Sequence, residues 1–246
     1  MRIKIINPDY GMTENEIAER LILLKQAAGP DVELSMQCLQ TSHVYLDSML
    51  DAALAGPEII RMAIDAEAQG YDAVVLYCFS DPAVDACREV LKIPVVGGGQ
   101  AACLSAMMVS RQFGILLSQS KRVPEKYQFL YQTGISFERV CGIVGADHDG
   151  DLSCCQESVM LSRLEAAGRT LIEDCGAQAI VLGCLSFLGK AAELSTRLGV
   201  PVIDSAIASV VMAVACVRMK LQTSPVSYPL PPSGIRTWSG GEIIIS

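Results

Sequence analysis

Two stretches of this 246-residue chain read as copies of one another. Gly70-Tyr71-Asp72-Ala73-Val74-Val75-Leu76-Tyr77-Cys78 and Gly176-Ala177-Gln178-Ala179-Ile180-Val181-Leu182-Gly183-Cys184 both run from glycine to cysteine in eight positions. Each then passes through a short helical pattern into an X-Pro-strand unit, Ile93-Pro94-Val95-Val96 and Val200-Pro201-Val202-Ile203. Self-similarity of this kind reports a fold built twice. Around the repeats, strand and helix patterns alternate, which predicts an α/β fold with parallel sheets. The expected architecture is two pseudo-symmetric lobes, each a parallel sheet flanked by helices, with the active site in the cleft between them. The lobe boundaries fall at residues 1–95 plus 205–222 and at 96–204. A Pro-rich arm, 223–246, comes last; it ends in Glu242-Ile243-Ile244-Ile245, which reads as an edge strand over the surface or onto a neighbouring subunit.

Local signals fill in the elements. Ile3–Ile6 and Val32–Met36 read as strands, and the continuous apolar run Ala73–Tyr77 as a central strand. Thr13-Glu14-Asn15-Glu16 is a capping box ahead of Ile17, Leu21, Leu24 and Ala28 at helical spacing. Further helices are predicted over Pro57–Ala68, from Asp81 (N-cap) and Pro82 (first turn), over Ala101–Arg111 and Pro124–Tyr131, up to about Cys175, and over Ala206–Leu221. Phe113–Leu117 and Phe137–Ile143 read as strands, and Ala146–Ser153 as a polar, acidic loop.

The formal net charge of −8 argues against nucleic acid, which demands clustered Lys and Arg. No apolar stretch reaches the ~20 residues that span a bilayer. The longest, Ala206–Val217, reads as a core helix. The opening run Met1–Asn7 meets a turn at Pro8 with no longer apolar region behind it. Ten cysteines without an export signal then lead us to expect the reducing cytoplasm. There is no CxxC pair and only two histidines, His43 and His148, so neither a metal site nor a disulfide framework is expected. Most of the thiols should be core packing.

Cys78 and Cys184 are the exception, because each ends a strand of the repeat. In parallel sheets ligands bind at the carboxyl ends of strands. Each cysteine also precedes an expected helix start, whose positive end favours a thiolate. If the two halves face each other, one thiolate removes a proton from a carbon and the other thiol returns one to the opposite face. Backbone N–H groups after each cysteine would hold the charge building on an adjacent carbonyl oxygen. The chemistry is racemisation of a small molecule, and it requires no cofactor.

Other motifs do not carry chemistry. Gly97-Gly98-Gly99 lacks the dinucleotide-binding spacing, since Gly99 is followed by Gln100-Ala101-Ala102. Gly183 to Gly189-Lys190 has five intervening residues rather than four, and Ala191 where a phosphate loop needs Ser or Thr. No histidine sits near a nucleophile motif. The adjacent pair Cys154-Cys155 reads as incidental.

The strand Ile3-Lys4-Ile5-Ile6-Asn7-Pro8, the segment Cys78-Phe79-Ser80-Asp81-Pro82, Ile93-Pro94-Val95-Val96-Gly97 and Ala179-Ile180-Val181-Leu182-Gly183-Cys184 resemble the hydantoin/allantoin racemase branch of the aspartate/glutamate racemase superfamily, over residues 1–220. The resemblance implies a cofactor-independent two-cysteine racemase and a homo-oligomer. It makes Cys78 and Cys184 the acid/base residues and places Asn7 on the cleft floor. Phe79 and Ser80 become backbone donors on one side and Leu185 and Ser186 on the other, with Ser118 facing the ligand. The chain departs from the branch at Asp9-Tyr10 and at Leu185-Ser186-Phe187-Leu188-Gly189. It also lacks the Cys-Asn-Thr and Cys-Thr-His segments of the amino-acid racemases. The favoured substrate is a 5-substituted hydantoin or related cyclic ureide. An amino-acid racemase or a cis–trans isomerase on the same scaffold stays open, as does a two-lobed binding protein without turnover.

Overall fold

A computed structural model describes residues 1–148, 152 and 155–245. The chain divides into two compact units, one formed by residues 1–97 and the segment from Ser209 onward, the other by Gly98–Ala208. The tail beyond residue 222 belongs to the first unit.

The first unit holds β1 (Arg2–Tyr10), α1 (Glu14–Ala28), β2 (Glu33–Leu39), α2 (Met49–Ala68), β3 (Ala73–Leu76), α3 (Val84–Val90) and β4 (Val95–Gly97). These four strands form one parallel sheet, in the order β2-β1-β3-β4. The second unit holds α4 (Gly98–Val109), β5 (Phe113–Leu117), α5 (Val123–Gln132), β6 (Val140–Gly145), α6 (Glu157–Glu173), β7 (Ile180–Leu182), α7 (Ala191–Leu198) and β8 (Val202–Ile203). Its parallel sheet has the order β6-β5-β7-β8. A last helix, α8 (Ser205–Arg218), begins in the second unit and continues into the first. The two sheets therefore repeat one another strand for strand: β1 matches β5, β2 matches β6, β3 matches β7 and β4 matches β8.

The central strands are apolar because helices cover both faces. Ile3, Ile5 and Ile6 of β1 and Val74 and Val75 of β3 have no exposed surface; neither do Ile115, Leu116, Ile180 and Val181 in the second sheet. Ile59 and Ala63 of α2 pack on the first sheet, and Leu164 and Leu171 of α6 on the second. The expected capping box opens α1: Thr13 Oγ1 accepts from the Glu16 N–H, and the Glu16 carboxylate accepts from the Thr13 N–H at 2.7 Å.

Several boundaries differ from expectation. Helix α2 starts at Met49, not Pro57, because Ser48 caps it by accepting from the Asp51 N–H at 3.1 Å. Pro57 lies inside the helix, held there by the burial of Ala55, Ile59, Met62, Ala63 and Ala66. Tertiary packing overrides the helix-breaking tendency. Strand β2 continues to Leu39, since Cys38 and Leu39 still pair with β1. Helix α4 starts at Gly98 within the glycine run, where Gly98 and Gly99 are buried. Residues Phe137–Arg139 form a 3-10 turn capped by Ser136, so β6 begins only at Val140. The tail forms an antiparallel hairpin, β9 (Gly234–Trp238) with β10 (Gly241–Ile245), and β10 packs by α2 with Ile243 and Ile245 buried. Part of the acidic loop over Ala146–Ser153, and Cys154, lie outside the described residues.

Candidate functional site

In each sheet the chain runs outward from a central strand to one neighbour and then returns to the other side. This reversal, between β1 and β3 and again between β5 and β7, opens a crevice at the carboxyl ends of the strands, the usual ligand position in such sheets. Cys78 and Cys184 sit at these two places. Ile6 is paired with Leu76, and Leu116 with Leu182. One more hydrogen bond then continues each ladder: Tyr77 N–H to Ile6 O at 2.9 Å, and Gly183 N–H to Leu116 O at 2.7 Å. The next residue in both cases is the cysteine. The two thiols thus occupy the same register position of the repeated fold.

The loops that carry the thiols are also alike, Cys78-Phe79-Ser80 in the first unit and Cys184-Leu185-Ser186 in the second. In both, the thiol and the hydroxyl are half-buried while the apolar side chain between them is buried, Phe79 at 2 % exposure and Leu185 at 3 %. The buried middle residue fixes the loop to the core and turns its polar neighbours outward. Asn7, expected at the floor of the site, is buried in β1 with its Nδ2 3.4 Å from Cys38 Sγ. Ser118 stands half-buried directly after β5. By the sheet register it matches Pro8 of the first unit.

The expected helix starts behind the thiols are not there. Neither thiol immediately precedes an α-helix. Helix α3 starts only at Val84, with Ala83 at φ 58° and Asp81 at φ 47°. Asp81 is not its N-cap; its carboxylate lies instead against Gly97, where a Cβ would stand only 2.3–2.6 Å away. With Asp81 in the left-handed region and its carboxylate turned towards Gly97, where it cannot cap the next N–H groups, Asp81-Pro82 makes a turn and not a helix start. After Cys184 there is a single 3-10 turn, Leu185–Phe187, and α7 begins at Ala191. Support from a helix dipole is therefore absent from the case for these thiols.

The other cysteines separate on burial and place. Cys87 is fully enclosed, and burial pushes its thiol up to about 12. Burial also raises Cys141 and Cys216 above the ordinary thiol range. Cys38 and Cys103 are buried. Cys155 lies 3.6 Å from His148 Nδ1 and packs against the core of the second unit, outside the repeated strand-end position. Among the described residues no group of three or more His, Cys, Asp or Glu could hold a metal ion. No helix there is long and apolar enough to cross a membrane.

Sequence reading missed one component of the second loop. Asp204, just after β8, is buried. Burial pushes its carboxyl above the ordinary range, against the backbone N–H groups of Gly189, Ile207 and Ala206. The only local signal was its place one residue before a helix, which marks a cap and says nothing of Gly189.

Comparison with known proteins agrees with this architecture. The Asp/Glu/hydantoin racemase family model matches residues 5–213. A hydantoin racemase of Rhizobium meliloti is 34 % identical over 242 residues, covering 94 % of this chain and 95 % of that protein. A hydantoin racemase of Paenarthrobacter aurescens is 31 % identical, covering 94 % and 98 %. The structure of an allantoin racemase from Klebsiella pneumoniae superimposes with a TM-score of 0.88 at 25 % identity, over 97 % of this chain and 96 % of that one. The chain belongs to the Asp/Glu/hydantoin racemase family.

Proposed function

We propose that this protein racemises a 5-substituted hydantoin or related cyclic ureide, with Cys78 and Cys184 as its acid/base pair. The observation that carries this is the repetition: two half-buried thiols at one register position, each at the chain-reversal crevice of its own sheet. One thiolate takes the proton from the carbon beside the ring carbonyl. The other, protonated, donates to the opposite face, and the roles exchange for the reverse reaction. The carbon returns to neutrality with inverted configuration, and no redox step or cofactor enters. The two Cys-x-Ser loops, Phe79-Ser80 and Leu185-Ser186, together with Asn7 and Ser118, make the polar contacts to the ring. Stabilising the enolate oxygen is where such contacts act most strongly. The choice of a cyclic ureide rests on the named activities of the relatives. The same reading makes the enzyme a cytoplasmic homo-oligomer, and sedimentation of the purified chain checks its oligomeric state.

The test monitors optical rotation and deuterium uptake together in D2O, with wild type, Cys78→Ser and Cys184→Ser. Wild type should lose rotation while deuterium enters the stereocentre. Each single variant should lose racemisation by roughly 10²–10⁴-fold, the range for removal of a positioned acid or base. Full racemisation by either variant refutes the pair. Turnover of free aspartate or glutamate in place of hydantoins would reassign the substrate and leave the thiols in their roles.

A further inference from the structure

The loop from Gly183 to Lys190 has little regular structure to hold it. It contains one 3-10 turn and three short-range backbone bonds, Phe187 N–H to Cys184 O at 3.1 Å, Leu188 N–H to Leu185 O at 3.3 Å and Lys190 N–H to Phe187 O at 3.1 Å. Both of its ends are instead fastened by two consecutive buried residues from another strand end. The Ser205 hydroxyl donates to the carbonyl of Leu182, two residues before the thiol. The Asp204 Oδ2 accepts the Gly189 N–H at 2.7 Å, five residues after it. Ser205 is 1 % exposed and Asp204 7 %, so the Ser205 contact is shut off from bulk water, while the Asp204 contact reaches out to the exposed Gly189.

The first unit fills the same junction by the opposite route. Val96 pairs with Val75 as Ile203 pairs with Val181, so Gly97 is the counterpart of Asp204. There the carboxylate comes from the loop: Asp81, three residues after Cys78, occupies the space a Gly97 side chain would need. In both units a buried carboxylate thus stands where the thiol loop meets the last strand. One is delivered by the strand and the other by the loop.

We infer that Asp204 and Ser205 are positioning residues for Cys184, clamping the two ends of its loop so that the thiol meets the substrate at a fixed place. The inference rests on the racemase reading for its catalytic meaning, but the clamp itself does not. Asp204 has a second task that must be kept apart. Its Oδ1 accepts from the N–H groups of Ala206 and Ile207 at 3.0 and 3.1 Å, capping α8. Asp204→Asn separates the two. Asparagine caps a helix as well as aspartate, but its Nδ2 cannot accept the Gly189 N–H. Ser205→Ala removes the other contact and leaves the cap untouched.

The experiment uses the full chain, with iodoacetamide labelling followed by mass spectrometry and with steady-state racemisation of a 5-substituted hydantoin. Cys78 in the same molecule is the internal control. In both variants the Cys184-to-Cys78 labelling ratio should move by about threefold or more, since thiol reactivity depends on local environment. Racemisation kcat should fall roughly ten- to a hundredfold, the order produced by displacing a reacting group by about 1 Å, while KM changes far less. The melting temperature of Asp204→Asn should fall by only a few degrees, because the cap on α8 is kept and a single N–H contact is lost. A wild-type labelling ratio with wild-type kcat in both variants overturns the clamp. If wild type itself fails to racemise hydantoins, the racemase reading falls separately and the labelling ratio still decides the clamp.

Discussion

Glu58 offers the sharpest quantitative test of how the first unit is held together. It lies on α2 with no exposed surface, and three consecutive backbone N–H groups converge on its carboxylate. Gln40 donates to Oε1 at 2.8 Å, Thr41 to Oε1 at 3.0 Å and Ser42 to Oε2 at 2.7 Å. Arg61 stands 3.9 Å away. Burial alone would raise the pKa of this group. The N–H donors of Gln40, Ser42 and Thr41 outweigh burial and hold it at about 2, down from 4.5. At about 1.36 kcal/mol for each tenfold change in proton affinity, the drop is worth about 3 kcal/mol. A depressed pKa sets the sign. The stabilisation is complete above the unfolded value of 4.5 and fades as pH falls towards 2. Glu58→Gln keeps the shape but turns an amide donor towards N–H donors. Urea unfolding should show it about 2–3 kcal/mol less stable than wild type at pH 7, with the gap shrinking below about 1 kcal/mol near pH 2. A gap of the same size at both pH values would refute the reasoning, because the loss would then be one of packing. Equal stabilities at pH 7 would refute it more directly.

Two further substitutions probe the scaffold around the site. Gly97→Ala forces a methyl to within 2.3–2.6 Å of the Asp81 carboxylate; it should cost about 1–3 kcal/mol in urea unfolding and alter iodoacetamide labelling of Cys78 relative to Cys184. Wild-type stability would show that Asp81 has room to move. Thr13→Ala removes the hydroxyl that accepts the Glu16 N–H at 3.3 Å and should lower stability by about 1 kcal/mol, measured by the shift in urea midpoint.

How much of the fold was legible in the sequence differs by element. The repeated Gly-to-Cys segments were readable because a buried parallel strand is a run of apolar residues and the repeat fixes the cysteine's distance from it. The capping box of α1 was equally readable, since Thr13 and Glu16 satisfy each other within one turn. Helix α2 was not. Pro57 is a strong local stop, and only burial of the flanking apolar residues carries the helix through it. The Asp81-Pro82 pair likewise fits a helix start, and the close approach of Asp81 to Gly97 makes it a turn.

The amino-acid order by itself determined the doubled α/β plan and the strand ends that carry Cys78 and Cys184, because both rest on short-range periodicity and spacing; the family came from the resemblance of the segments around those strands to known racemases. Tertiary structure alone decided which backbone groups the buried carboxylates satisfy: Glu58 on Gln40–Ser42, and Asp204 on Gly189. A buried charge must find donors wherever the fold brings them. Those donors lie many residues away, on segments whose sequences carry no mark of the partner they will meet.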